Sequence, residues 1–388
     1  MFGKQIPLFR LFGFDVGIDP TWVMIAVLVT WSLAVGLFRS YYPGLSPLAA
    51  WSMGVVGAAG LFASIIFHEL SHSLVARRFG LPIGGITLWI FGGVAHMEGE
   101  PEAPKVEFWM AIAGPVSSYV LAGGFVLAAW AGDGLAWPVT VTGVFWYLAA
   151  INGVLATFNL VPAFPMDGGR VLRAILWARS GNFREATRIA SGLGGLFGLG
   201  LMAAAAFFLL QGNLVAAVWW FLIGLFVRFA ARSSYHQVLV KEALEDRPVS
   251  QFLTADPIIV PPDLSLHRMV EDYFYRYYFK AFPVVEGGRA IGIVSLDQVR
   301  QVARDQWETT TVGDVLTPVG DDNSVALGTP ALAALRQMQR GGLSRLLVVE
   351  RGRLAGLVCL RDLLGYLTMR LDLEGGDGGT DGAGRRQA

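Results

Sequence analysis

The stretch Phe67-His68-Glu69-Leu70-Ser71-His72 puts two imidazoles and a carboxylate at the end of a long apolar run. On a helix, positions i and i+4 share a face, so His68 and His72 can offer nitrogens to one metal ion. Glu69 leaves from a neighbouring face and can serve as base toward a water held there. Two neutral imidazoles suit Zn²⁺, which in hydrolytic sites takes a third protein ligand and keeps one position open. So short a pattern also arises by chance on soluble helices. Its location argues against chance. Ser40 to Phe67 contains no Asp, Glu, Lys, Arg or His, and ionisable groups at the end of a membrane-length segment are costly enough to mark function.

Two histidines leave a hydrolytic zinc site one ligand short. A second apolar segment runs into Asn159-Leu160-Val161-Pro162-Ala163-Phe164-Pro165-Met166-Asp167-Gly168-Gly169-Arg170, and no charged residue lies between Gly134 and Met166. Asp167 is therefore the first charge at that membrane edge. The prolines break the helix there, and irregular backbone at membrane depth implies a polar cavity or protein cover. Asp167 is the expected third ligand. Its plainer reading is a helix N-cap before Gly168. His96, on a Gly-rich stretch, is the rival ligand. His236 and His267 fall in the polar part of the chain and are read as unrelated.

These residues need spans to hold them. The chain has 388 residues, 54% hydrophobic and 15% charged, with mean hydropathy +0.52. The apolar excess lies before about Arg232, which implies a polytopic membrane domain followed by a soluble one. Six spans are expected: Thr21 to Phe38, Leu45 to Val75, Phe108 to Gly132, Trp137 to Leu160, and two within Ile189 to Val227 that turn at Gln211-Gly212-Asn213. Ala113-Gly114-Pro115 in the third permits close helix approach and a kink. Ile83 to Met97 is too short and Gly-broken to span, and reads as a β-hairpin or re-entrant element. Glu98, Glu100 and Glu102 form an acidic loop after it. Met1 to Pro20 shows no cleavable signal pattern, so the first span is expected to remain as an anchor.

Lys and Arg gather before span one and after spans two, four and six, whereas the opposite loops carry Arg39. The positive-inside rule then places both termini in the cytoplasm of a multi-pass plasma-membrane protein, with the histidines near the cytoplasmic face. The zero net charge leaves no electrostatic footprint for nucleic acid. Cys359 is the single cysteine, which excludes an internal disulfide and a cysteine-built metal site.

Arg232 to Pro248 is a polar, helix-prone linker. Beyond it the sequence repeats itself. Val284-Val285-Glu286 precedes Gly292-Ile293-Val294-Ser295, and Val348-Val349-Glu350 precedes Gly356-Leu357-Val358-Cys359 at the same distance. Each copy reads as strand, turn, strand, helix, behind an amphipathic helix (Leu264 to Tyr275; Ala331 to Arg340). The expected division is a membrane domain over 1–232, a linker over 233–248, repeat units over 249–306 and 307–373, and a disordered Gly- and Asp-rich tail over 374–388.

With these motifs in hand, the chain resembles the site-2 protease family of intramembrane zinc metalloproteases. The resemblance rests on His-Glu-x-x-His, on Asn-x-x-Pro-x-x-Pro-x-Asp-Gly, and on Gly92-Gly93-Val94-Ala95 and Ala113-Gly114-Pro115. The repeats resemble a pair of CBS motifs. The fold class implied is an α-helical polytopic membrane domain of about six helices with a small β element, plus a soluble α/β CBS pair. The resemblance makes His68, His72 and Asp167 ligands of one Zn²⁺ and Glu69 the base. It gives Asn159 a part in holding substrate or polarising the scissile carbonyl, against the plainer reading of a helix-packing hydrogen bond. Substrates would be membrane-anchored proteins, cut in or near their transmembrane segments, with Ile86 to Val94 as an edge strand to pair with them or as a plug. Met166 stands where the family often has Leu. Ser118 stands where it often has Asn, a departure that leaves the polar role of that position open.

CBS pairs often bind adenine nucleotides through a hydroxyl and an Asp. The first copy has Ser295 but Gln298, and the second has Asp362 but Cys359, so Asp362 is the better nucleotide contact. The pair could equally be structural, fixing a homodimer or gating access. A transporter or channel with regulatory CBS domains is the alternative of a different class, and an inactive scaffold is a third.

Overall fold

A computed structural model of the chain describes residues 6–89, 92–97 and 101–374. The chain forms two units, Met1–His236 and Gln237–Ala388.

The first unit opens with a hairpin that the sequence reading missed, β1 (Ile6–Leu11) and β2 (Phe14–Ile18). Helix α1 (Thr21–Tyr41) follows and includes a π-helical segment, Ser32–Leu37. Helix α2 (Pro47–Arg78) starts at an N-cap, Ser46, whose Oγ accepts from Ala49 N at 3.2 Å, with Pro47 in the first turn where its missing N–H costs nothing. It ends on Arg77-Arg78, cations suited to a helix C-terminus, and Gly80 then adopts φ +81°, a turn that favours glycine. Strands β3 (Ile83–Trp89) and β4 (Gly92–Met97) form the hairpin expected over this region.

Helices α3 (Pro104–Gly134), α4 (Val139–Asn159), α5 (Asp167–Ser180), α6 (Phe183–Leu210) and α7 (Leu214–Leu244) complete the unit. Six helices in the described residues are long and apolar enough to cross a membrane, α5 not among them. The turn between α6 and α7 falls at Gln211-Gly212-Asn213, as expected. Helix α7 runs on to Leu244, so most of the polar stretch 233–248 is helical.

Helix α2 is packed from both sides. Leu33 and Phe38 of α1, Met53 and Ala58 of α2, and Val144 and Leu148 of α4 form one buried cluster. A Cβ at Gly54 would stand 2.9 Å from Thr30 O, and one at Gly60 would stand 2.8 Å from Leu148 Cδ1. Small residues thus set the helix spacing where no hydrophobic drive exists between helices in lipid. Asn152 of α4, fully buried, donates to Ser64 Oγ of α2 at 3.0 Å, one turn before His68.

The sheet order is β1-β2-β3-β4. β2 pairs with β3 in parallel, and the two hairpins are antiparallel. One expectation is corrected here. Within Ile86 to Val94, the residues Ile86–Trp89 of β3 lie inside the sheet with partners on both sides; the edge is formed by β4, which begins at Gly92 and so includes Val94, and the opposite edge is β1.

The second unit holds a seven-stranded sheet built twice over. After β5 (Leu253–Thr254) comes a helix begun at Leu266–Met269, then β6 (Ala281–Glu286) and β7 (Arg289–Ser295). After β8 (Thr317–Pro318) and β9 (Ser324–Val325) comes the helix Ala331–Gly341, then β10 (Arg345–Glu350), β11 (Arg353–Cys359) and a last helix, Leu360–Glu374. Each half has its own core, around Phe282 and Val294 in one and around Leu346 and Val358 in the other. Arg345 reaches across to donate to Ala281 O at 2.7 Å. The expected disordered tail lies, from 375 onward, outside the described residues, as do Glu98 and Glu100 of the acidic loop.

Candidate metal centre

His68 and His72 lie on the last third of α2, and Asp167 opens α5. The fold brings one donor atom of each together. Asp167 Oδ2 stands 3.0 Å from His68 Nε2 and 3.2 Å from His72 Nε2, and the two Nε2 atoms are 3.2 Å apart. Tetrahedral ligands about 2.0–2.1 Å from a zinc ion stand roughly 3.3 Å from one another. The three edges of this triangle fit that spacing. Both histidines are buried, at 3% and 6% exposure.

The imidazoles are held from behind. His72 Nδ1 donates to the carbonyl of Met110 at 2.6 Å, which leaves Nε2 with its lone pair toward Asp167. His68 Nδ1 stands 2.9 Å from Ser118 Oγ, and Ser118 is fully buried. Both partners come from α3. Ser118 is the position where the family often has Asn, and here its shorter hydroxyl supplies a polar group to His68. Gly114 lies between them along α3, and a Cβ there would overlap Nε2 of both histidines. Glycine is thus required by the approach of the α3 backbone to the two rings.

Asp167 is not the N-cap of α5. Met166 is, and Asp167 is the first helical residue, its carboxylate turned to the histidines. Gly168 and Gly169 follow because a Cβ at either would overlap the backbone of residues 160–164. Behind them, Arg173 binds the carboxylate of Glu107, which is fully buried at the start of α3. The Arg173 guanidinium lies between the rings of Phe164 and Phe183, 4.9 Å and 4.6 Å from their centroids. This clasp joins α3, the proline-bearing turn, α5 and α6, so it fixes the helix that carries Asp167. Nothing local in the sequence marks this pair, whose members lie 66 residues apart.

A cavity of about 720 Å³ opens beside the triangle, lined by Glu69, Asn159 and Arg170 among others. Asn159, the last residue of α4, lines this cavity, and Asn152, two turns earlier, makes a helix-packing hydrogen bond to Ser64. Strand β4 crosses over the carboxylate, since a Cβ at Gly93 would stand 2.5 Å from Glu69 Cγ. His96, the rival ligand, pairs with Gly85 on β4; its side chain lies outside the described part of the structure. Among the described residues, His68, His72 and Asp167 are the group of ligand type that comes together. His267 lies in the second unit, 3.7 Å from Glu308.

In the second unit, Ser295 and Gln298 are taken up by their own helix. Gln298 Oε1 accepts from Ser295 N at 2.5 Å in a capping box, and its Nε2 donates to Thr317 Oγ1. Asp362 sits in the first turn of the last helix, a third exposed, beside Arg361. Cys359 is half-buried, and burial pushes its thiol up.

The chain matches the family described as Peptidase family M50 over residues 56–134 and 123–202, and the CBS domain over 249–305 and 312–368. It is 36% identical over 360 residues to the protein named zinc metalloprotease Rip3 of Mycobacterium tuberculosis, covering 92% of this chain and 91% of that one. It is 30% identical over 365 residues to a zinc metalloprotease of Methanocaldococcus jannaschii, covering 93% and 95%. Among solved structures it is similar to a site-2 protease from Methanocaldococcus jannaschii, at 30% identity and TM-score 0.42, over 60% of this chain and 95% of that one.

Proposed function

Because the chain belongs to peptidase family M50, the site-2 protease family of zinc metalloproteases, and carries a CBS pair, we propose that it is an intramembrane endopeptidase with Glu69 as its base. His68, His72 and Asp167 would hold its one zinc ion. The reading rests on one observation above all: three donor atoms at zinc spacing share a cavity with a carboxylate, beneath an unpaired strand edge. When bound, zinc supplies Lewis acidity for a carbonyl oxygen and an acidic water near neutral pH.

The chain's own residues do the rest. Glu69 takes the proton from the attacking water and returns it to the leaving amine. Asn159, at the cavity wall, orients the scissile carbonyl. A helix hides its carbonyls, so the substrate must be extended where it is cut. The edge of β4, which has no partner beyond β3 among the described residues, pairs with it as an added strand and lays its backbone beside Glu69. Substrates are membrane-anchored proteins cut in or near a transmembrane segment, as in regulated intramembrane proteolysis. A metal triangle with an adjacent base favours this over the transporter or channel reading.

The distribution of basic loops supports a site at the cytoplasmic side of the plasma membrane, with the CBS pair in the cytoplasm. That pair is a regulatory module, with Asp362 as the contact for the ribose of an adenine nucleotide.

The test is the full chain in liposomes with a set of membrane-anchored substrates. Glu69→Gln should keep its zinc and lose about 10²–10⁴ in cleavage rate. Cleavage that survives this change, or that survives removal of zinc by a chelator, would defeat the reading.

A further inference from the structure

The N-terminal hairpin carries an apolar face that runs past the helices. Residues directly opposite on an antiparallel pair share a face of the sheet. In β2 the face made by Phe14, Val16 and Ile18 is buried, and Phe14 packs with Leu70 and Leu74 on α2. Their partners on β1 are Leu11, Phe9 and Ile6. Leu11 still touches that cluster. Phe9 and Ile6, on the same face, are 49% and 48% exposed. On the opposite face, where Pro7 faces Gly17, Arg10 and Asp15 pair at 3.5 Å and each is more than 70% exposed; Leu8, at the bulge between Pro7 and Phe9, is 47% exposed.

Two contacts fix where this strand lies. Arg77, in the last turn of α2, donates to Phe12 O at 2.6 Å and stacks 4.8 Å over the ring of Phe14. The hairpin therefore sits at the end of α2 that carries the histidines. Asp19 N donates to Leu88 O at 2.8 Å, and α1 starts from that level. Its first turns expose Val23 and Val27 at 50% and 65%, the sides of a span that lipid covers.

We infer that β1 is an interfacial strand, with Phe9 and Ile6 in the acyl region of the leaflet at the active-site end and Arg10 and Asp15 toward headgroups and water. The occupant of this face is bilayer lipid. The face is continuous with one that packs on a spanning helix, and what flanks a spanning helix is lipid. Its polarity divides as an interfacial element requires. The inference rests on the reading of α1 and α2 as spans. Since β1 joins β2, β3 and β4 in one sheet, lipid contact at one edge sets the depth of the strand that crosses Glu69.

The test uses the full chain in phosphatidylcholine vesicles, with Cys359→Ser to remove the one native thiol. A nitroxide is attached after Phe9→Cys, Ile6→Cys, Arg10→Cys or Val27→Cys. Power saturation then compares collision with oxygen, which concentrates in lipid, and with a water-soluble nickel chelate. Labels at 9 and 6 should match the oxygen preference of the label at 27, and the label at 10 should prefer nickel. Nickel preference at 9 and 6 with oxygen preference at 27 would overturn the inference and leave the spans intact. Water exposure at 27 would overturn the reading of the spans instead. Labels at 9 and 6 shielded from both reagents would mean a protein partner covers the face, and would also overturn it. The unsubstituted protein gives an independent check: a carbene-generating acyl chain should add to the peptide 6–11, and absence of adducts there beside adducts on α1 would refute the inference.

Discussion

Ser118 and Met110 grip the two imidazoles by the nitrogen that faces away from Asp167. Such partners fix the tautomer and orientation of a ligand, and their loss typically costs about 10–100-fold in metal affinity. Ser118→Ala should therefore weaken zinc binding by that amount in a chelator competition, whereas Ser118→Asn should restore part of it. Gly114→Ala places a methyl against both rings, and the purified protein should carry little zinc. The histidines and Glu69 were legible because a helix turns short spacing into a shared face. Asp167 was legible because one charge after a long uncharged run stands out. Ser118 was not legible, since its role depends on a contact with His68 across 50 residues of sequence, and nothing local to it marks that contact.

At the scale of elements, the Asp167 carboxylate is placed by the helix it opens, and that helix is held by the buried pair of Glu107 and Arg173. Removing one partner of a buried pair leaves a charge without compensation, at a cost of about 3–5 kcal/mol. Glu107→Ala should lower the stability of the membrane unit accordingly in a denaturation series. The crossing of β4 over Glu69 leads to a separate expectation: Gly93→Val should retain zinc and lose most cleavage, because the side chain meets Glu69. The β3–β4 hairpin could be read from its glycines and β-branched residues. The first hairpin escaped reading because each strand is short and β2 finds its neighbour only beyond two spans. The interior place of Ile86–Trp89 was hidden for the same reason, as β3 is interior only by virtue of β2.

For the whole molecule, six apolar runs and a doubled strand pattern were enough to foresee a spanning unit followed by a CBS pair. How many ligands the pair takes was less open to reading. Ser295 and Gln298 spend their hydrogen bonds on each other and on Thr317, so the first copy should not bind nucleotide. Equilibrium dialysis of the intact protein with ATP, ADP and AMP should give no more than one site per chain, abolished by Asp362→Ala. The parallel pairing of β2 with β3 also has a bearing on biogenesis. A nascent chain must deliver two spans to the membrane before β2 can find its second neighbour, β3, and must extend past Asp167 before the proposed third ligand exists. A chain still on the ribosome therefore carries a hairpin with one open edge, and on the proposed ligand set it holds no complete hydrolytic centre until Asp167 and its helix have been made.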